Sequence, residues 1–297
     1  MSFRCLNRTG VRLALILLGG LTQTFGEDCC GELRPQQNST AERDPNVLRI
    51  TADPNNLPFT NQKGEGFENK LAELVARELG MRIEWTWRAQ RRGFFRETLK
   101  NDTADLILGA PTGYERALTT APYYRSSYVF VYRKDRALDL RSLDDPRLRE
   151  LKVGVQIVGD DGANTPPAHA LASRGIIHNL VGFTLYGDYS EPNPPARIID
   201  AVNKGDIDVA IAWGPLAGYF AKQSSVRLEV VPVTPQVEHS GLRFAFSVSM
   251  GVRKNDSELQ KRVDEVLQRN RAEIERLLDE YGVPRVEGGN RTTQLGG

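Results

Sequence analysis

Cysteine, methionine, histidine and tryptophan each occur three times in 297 residues, and these scarcities close off several kinds of chemistry. His169, His178 and His239 have no spacing that suggests a metal cluster. A glycine-rich phosphate loop and a nucleophile elbow are both missing, so the expectation is a protein that is not an enzyme and carries no cofactor. Cys29 and Cys30 are neighbours, and neighbouring cysteines rarely close on each other. They either join another chain in an oxidising compartment or lie in a lead-in with no role. Charge of one sign is lacking too: 39 Lys+Arg face 38 Asp+Glu, which argues against wholesale binding to nucleic acid or anionic lipid.

A membrane-length apolar run is also missing. "LALILLGGL" (13–21) is too short for a comfortable span. It follows Arg4, Arg8 and Arg12 and precedes the small residues Thr24 and Gly26, which reads as a secretory signal peptide over 1–26. Its removal takes away Cys5, three arginines and no acid, so acids come to outnumber bases by two. An exported, near-neutral soluble protein is expected, a monomer when free.

What is present is an alternation of strands and helices. Residues 27–46 are polar and aperiodic, a flexible lead-in. "LRITAD" (48–53) reads as a strand. "GFENKLAELVARELG" (66–80) reads as a helix with Phe67, Leu71, Leu74, Val75 and Leu79 on one face, stopped by Gly80. "MRIEWTW" (81–87) alternates as a strand with one buried face, a helix is expected from about Arg92 to Lys100, and "ADLILGA" (104–110) is a third strand. After residue 150 the βαβαβ pattern repeats, ending in "DVAIAW" (208–213). "SSYVFVYRKD" (126–135) and "RFAFSVSMGVRKND" (243–256) read as two crossing strands, antiparallel and side by side. A C-terminal helix with a capping box from Ser257 to Gln260 is expected to return to the first block. The fold class is therefore α/β with two lobes, each a mixed sheet flanked by helices. The first lobe is expected over 47–131 plus 249–284, the second over 132–248, and a disordered tail over 285–297.

Two lobes leave a cleft, a natural ligand site. The strand ends and helix starts expected to face it supply Asn55, Asn56 and Phe59 after the first strand, Arg91 and Arg92 after the second, and Thr112 and Arg116 after the third. In the second block they supply Asp160, Asp161, Asn164, Thr165 and Trp213. Arg116 can clamp an anion in bidentate fashion or stand as an exposed helix-start residue, and the residues alone leave both readings open. Thr165 is the expected N-cap of a helix whose first residue is Pro166. An anion at that helix start would be opposed by Asp160 and Asp161, which favour a cation or a basic group of a partner.

The span from Leu48 to Pro284 resembles the periplasmic solute-binding proteins of the amino-acid-receptor type (type II periplasmic binding fold). Within them it is similar to the MxaJ/XoxJ group associated with PQQ-dependent methanol dehydrogenases. The resemblance rests on "ADPNNLPFTNQKGEGFEN", "QRRGFFRETL", "TTAPYYRSSYVFVYR", "GVQIVGDDGANTPPAHALA", "YGDYSEPNPPARI" and "IDVAIAWGPLAGYF". It implies a quinoprotein methanol or alcohol dehydrogenase as partner, with its cytochrome c as a second candidate, and no established small ligand. It also aligns Arg116 with the arginine that takes an amino acid's carboxylate, and Trp213 with the aspartate that takes its ammonium, so half of the clamp is missing. Ordinary amino acids are expected to bind weakly or not at all. Many members of the group carry cysteines where this chain has Thr51 and Ala104. Two functions follow: an accessory protein engaging the dehydrogenase or aiding its maturation through a receptor-like cleft, or the receptor of an ABC importer for a small organic solute.

Overall fold

The computed structural model describes residues 44–91, 93–158, 164–185 and 189–287. The expected signal peptide, Cys29, Cys30, almost all of the lead-in and the tail from 288 lie outside the described residues. In the first lobe, β1 (Val47–Ala52), β2 (Arg82–Trp87) and β3 (Leu106–Pro111) are joined through α1 (Phe67–Leu79) and a π-helical turn (Arg96–Lys100). That turn stands where the sequence reading placed an ordinary helix over 92–100. Both β2 and β3 run parallel to β1, giving the order β2-β1-β3.

The second lobe repeats this order. β5 (Val153–Ile157) has β6 (Leu180–Thr184) and β7 (Val209–Trp213) parallel on either side, connected through α2 (Pro166–Ser173) and α3 (Arg197–Lys204). Right-handed crossovers of short parallel strands leave every loop after a strand on one edge of each sheet, which is what aims two sets of loops at a common cleft.

Two long strands join the lobes. β4 (Tyr124–Arg133) pairs by its first half with β9 (Ala245–Val252), Ser127 opposite Ala245 and Tyr124 opposite Val248. By its second half β4 pairs with β7, Tyr128 opposite Trp213, and with β8 (Leu228–Pro232). β9 turns back into the first lobe beside β3. The crossing strands are side by side as expected, but only over 124–127 and 245–248, because β4 gives up β9 for β7 at Tyr128.

Strand β7 shows how burial fixes register. Val209 and Ile211 pack into one core cluster with Phe130 and Phe244, while Ala210 and Ala212 pack into another with Ile198, Val202 and Leu216. A strand buried on both faces loses its polar alternation, which is why "VAIA" reads as a continuous apolar run. In the first lobe Leu48, Ile50, Phe67, Leu71, Leu106 and Met250 share a core with Val263, Val266, Ile274 and Leu278. The C-terminal residues thus return to this lobe, as two helices rather than one: α5 (Ser257–Arg269) and α6 (Arg271–Glu280), separated at Asn270, whose Nδ2 donates to the Val266 carbonyl at 2.9 Å. The cap is also one residue earlier than expected. Asp256, not Ser257, accepts the Leu259 N–H, at 3.2 Å. An aspartate cap adds charge–dipole attraction to the hydrogen bond, and so outcompetes the serine beside it.

Candidate functional site: an aromatic cleft over a buried acid

Between the lobes lies a cavity of about 800 Å³. The loop after β1 contributes Asn56 and Phe59, the loop after β2 contributes Arg91, Phe94 and Phe95, and the segment after β3 contributes Tyr114 and Arg116. The crossing strands supply Tyr124, Tyr128 and Phe246, and the second lobe supplies Gln156, Leu185, Leu216 and Trp213. Five of the residues singled out from the sequence therefore meet there: Asn56, Phe59, Arg91, Arg116 and Trp213.

The others have different surroundings. Asn55 reaches across to the second lobe, Nδ2 donating to the Glu191 carbonyl at 2.9 Å. Thr112 shares a 2.7 Å hydrogen bond with the Ser249 hydroxyl, tying β3 to β9. Asn164 accepts the Val158 N–H at 3.1 Å, and the Thr165 hydroxyl donates to the Gln156 carbonyl at 2.6 Å instead of capping α2. Arg92, Asp160 and Asp161 lie outside the described residues.

Trp213 is half-buried, the last residue of β7 and the one before α4 (Gly214–Gln223). Its indole meets Tyr128 edge-on (ring centroids 5.4 Å, planes at 64°) and Phe246 (6.0 Å, 60°). The ring also packs against the core of the first lobe. It thus fills the hinge end of the cleft with an apolar wall.

Arg116 is exposed and makes no hydrogen bond or ion pair among the described residues, leaving its five donors to the cavity mouth. Arg91 lies over the Tyr189 ring at 5.8 Å, and Asn56 donates to Gln90 Oε1 at 3.1 Å.

The residue that sequence reasoning missed is Glu68, in the first turn of α1. Its side chain is 5% exposed and lines the cavity. The Tyr123 hydroxyl donates to Oε1 at 2.7 Å, and the Tyr123 oxygen accepts the Gly109 N–H at 3.1 Å. Burial raises the Glu68 pKa to about 7, partly offset by the Tyr123 bond. Gly109 is needed here: at φ +73°, a Cβ would approach Glu68 Oε1 to 3.2 Å. A pointer existed in the sequence, since Glu68 shares the helical face of Ala72 and Val75, an acid inside an apolar stripe. The ring of tyrosines and Phe246 around the hinge had no such pointer, because strand aromatics read equally well as core.

Among the described residues no group of three or more His, Cys, Asp or Glu could hold a metal ion, and no helix is long and apolar enough to cross a membrane. The chemistry in place is that of a binding slot: flat apolar walls, one deep acid, and two exposed arginines, Arg91 and Arg116.

Residues 48–284 match the family model described as bacterial extracellular solute-binding proteins, family 3. The chain belongs to this family. Within it, Protein MoxJ of Methylorubrum extorquens is 33% identical over 255 residues, covering 82% of this chain and 83% of the relative. Among solved structures, the periplasmic binding protein XoxJ from Methylobacterium extorquens AM1 is 38% identical, with a TM-score of 0.66 over 82% of this chain and 100% of its own. MxaJ from Methlophaga aminisulfidivorans MPT is 27% identical, with a TM-score of 0.70 over 80% of this chain and 100% of its own. The family 3 solute-binding fold thus accounts for both lobes and for the strands that cross between them.

Proposed function

We propose that this chain is a non-enzymatic periplasmic accessory protein of a PQQ-dependent methanol or alcohol dehydrogenase, which it engages, or helps to mature, through the cleft. The observation that carries this reading is Trp213 at the end of β7, packed between Tyr128 and Phe246. An ammonium brought to that strand end would meet indole and phenol rings in place of a carboxylate, and cation–π attraction replaces only part of a desolvated ion pair. The likeness to MoxJ, XoxJ and MxaJ supports the choice of partner system.

Contacts also span the cleft at its front and its back. At its front, Asn55 bonds the Glu191 carbonyl, and the Tyr189 hydroxyl donates to Asp53 Oδ2 at 2.5 Å. At its back, α4 lies against the chain that follows α6. Tyr219 stacks on Tyr281 (5.6 Å, 14°), and Lys222 Nζ donates to the Glu280 carbonyl at 2.8 Å. An importer receptor opens and closes with its cargo, whereas a docking module gains from a cleft already formed.

The test is binding of the purified mature chain to purified dehydrogenase by surface plasmon resonance, with a panel of amino acids that carry no cationic side chain in calorimetry. Saturable binding of the dehydrogenase with no heat from the amino acids is expected. Micromolar affinity for an amino acid, without dehydrogenase binding, would favour the importer reading.

A further inference from the structure

Among the described residues, no cation pairs with the buried acid. Glu68 Oε1 takes the Tyr123 hydroxyl, and Oε2 makes no hydrogen bond within the described residues, although the side chain is 95% buried and lines the cavity. The charged and titratable groups around it are the Tyr123 and Tyr124 phenols of β4, and on the cavity wall Arg91, Arg116, Tyr114 and Tyr128. Burial favours the protonated carboxyl and the Tyr123 bond favours the ionised one. A carboxyl placed this way has one acceptor left for an incoming donor, and the walls leading to it are the aromatic faces that attract organic cations.

We propose that Glu68 and the aromatic walls above it form a subsite for an organic cation, a guanidinium or ammonium group on a flat or apolar shank. Phe59, Tyr124, Trp213 and Phe246 hold the shank, and the carboxylate receives the N–H groups. The inference deepens the reading of this cavity as the binding cleft and does not depend on which dehydrogenase is the partner. The cation can belong to a free small molecule or to an Arg or Lys side chain of a docked segment, and the two sources share this chemistry.

The experiment uses the mature chain and two isosteric probes, benzylguanidinium, which stays charged throughout, and the neutral benzylurea, in calorimetry from pH 5.5 to 8. Because bound cation requires ionised Glu68, affinity for benzylguanidinium is expected to fall about 30-fold from pH 8 to pH 5.5 for a group titrating near 7. Benzylurea is expected to bind at least about tenfold more weakly at pH 8 and without that pH dependence. Glu68→Gln should abolish both the preference for charge and the pH dependence. Tyr123→Phe should keep the preference and move the midpoint to higher pH, since it removes the bond that lowers the Glu68 pKa.

Equal binding of the two probes would overturn the proposal, as would no binding of benzylguanidinium to the folded parent. Affinity rising as pH falls would mark the neutral acid as a donor and overturn it too. An acetylated and amidated Phe-Gly-Arg-Gly peptide, compared with its citrulline form, separates the sources. Peptide tighter than probe points to a docked segment, and probe alone to a free cation, either outcome supporting the subsite. Dehydrogenase binding is measured separately on the parent, so its failure would strike the partner reading and leave this result intact.

Discussion

Burial of Glu68 beside Tyr123 raises its pKa from 4.5 to about 7, so the folded protein keeps a proton that the unfolded chain releases. The stability this contributes is complete below about pH 4.5 and is lost as pH rises through 7. That amounts to about 3 kcal/mol over the interval. Glu68→Gln removes the titration and keeps an acceptor for Tyr123. Urea unfolding is expected to show the variant gaining about 3 kcal/mol on its parent between pH 4.5 and pH 8. Parallel pH profiles for the two proteins would mean that the carboxyl is already paired or solvated. Trp213 belongs to the same scale. Its position at the end of β7 was legible from "DVAIAW", but its half-burial against Tyr128 and Phe246 was not, since those rings come from strands distant in sequence. Trp213→Ala should cost about 3 kcal/mol of stability, and Trp213→Phe about 1, since the smaller ring keeps most of the packing against Tyr128 and Phe246. If Trp213→Phe, folded to the same extent as its parent, holds the dehydrogenase equally well, the indole is hinge packing only.

Elements show where local sequence was sufficient and where it was not. The two βαβαβ blocks follow from their period, because strands of five or six residues and an amphipathic helix such as α1 each bury a face that only another layer can cover. The break between α5 and α6 was not legible: no Pro or Gly marks it, and Asn270 ends the helix by a side-chain bond to Val266 that only the folded chain displays. Thr51 and Ala104 stand where many members of the resembled group carry cysteines. Thr51 is buried with its hydroxyl unpaired. Next to Ala104, however, Asp105 bonds Arg49 of β1 (2.7 and 3.0 Å) and Arg253 after β9 (2.5 Å). Burial pushes the Asp105 carboxyl up, but the Arg49 and Arg253 guanidiniums outweigh it and hold the pKa at about 2. The stability from this knot is present above about pH 4 and is lost as pH falls through 2, about 2 kcal/mol in all. Asp105→Asn is expected to destabilise the protein by about 3 kcal/mol at pH 7, leaving two guanidiniums without their carboxylate. The gap to the parent should narrow by about 2 kcal/mol between pH 4 and pH 2. A constant gap in chemical denaturation would show that the knot is held by packing instead.

At the scale of the whole molecule, the two lobes were foreseeable and their mutual attachment was not. The ties include side chains donating to backbone carbonyls far away in the chain, Asn55 to Glu191 and Lys222 to Glu280, and they leave no periodic trace in the sequence. The tightest is glycine on glycine. A Cβ on Gly218 of α4 would stand 2.0 Å from the Gly282 carbonyl oxygen and 3.0 Å from Pro284 Cδ, so the second lobe can sit on the C-terminal segment only because residue 218 has no side chain. The Ser126 hydroxyl, on the crossing strand, holds the same segment by donating to the Pro284 carbonyl at 2.6 Å. If this contact sets the width of the cleft, Gly218→Leu must push α4 away while leaving each lobe's own core intact. Expected are a larger radius of gyration in solution scattering, faster hydrogen exchange over 281–286, and a stability loss of about 1 to 3 kcal/mol, the range for overpacked sites. Affinity for the dehydrogenase should fall with it, because a cleft that must be ordered on binding loses the advantage of being preformed. A variant with unchanged scattering and exchange would place the control of cleft width at the front contacts of Asn55 and Tyr189. One that opens yet binds the dehydrogenase undiminished would show that docking does not use the cleft at its resting width.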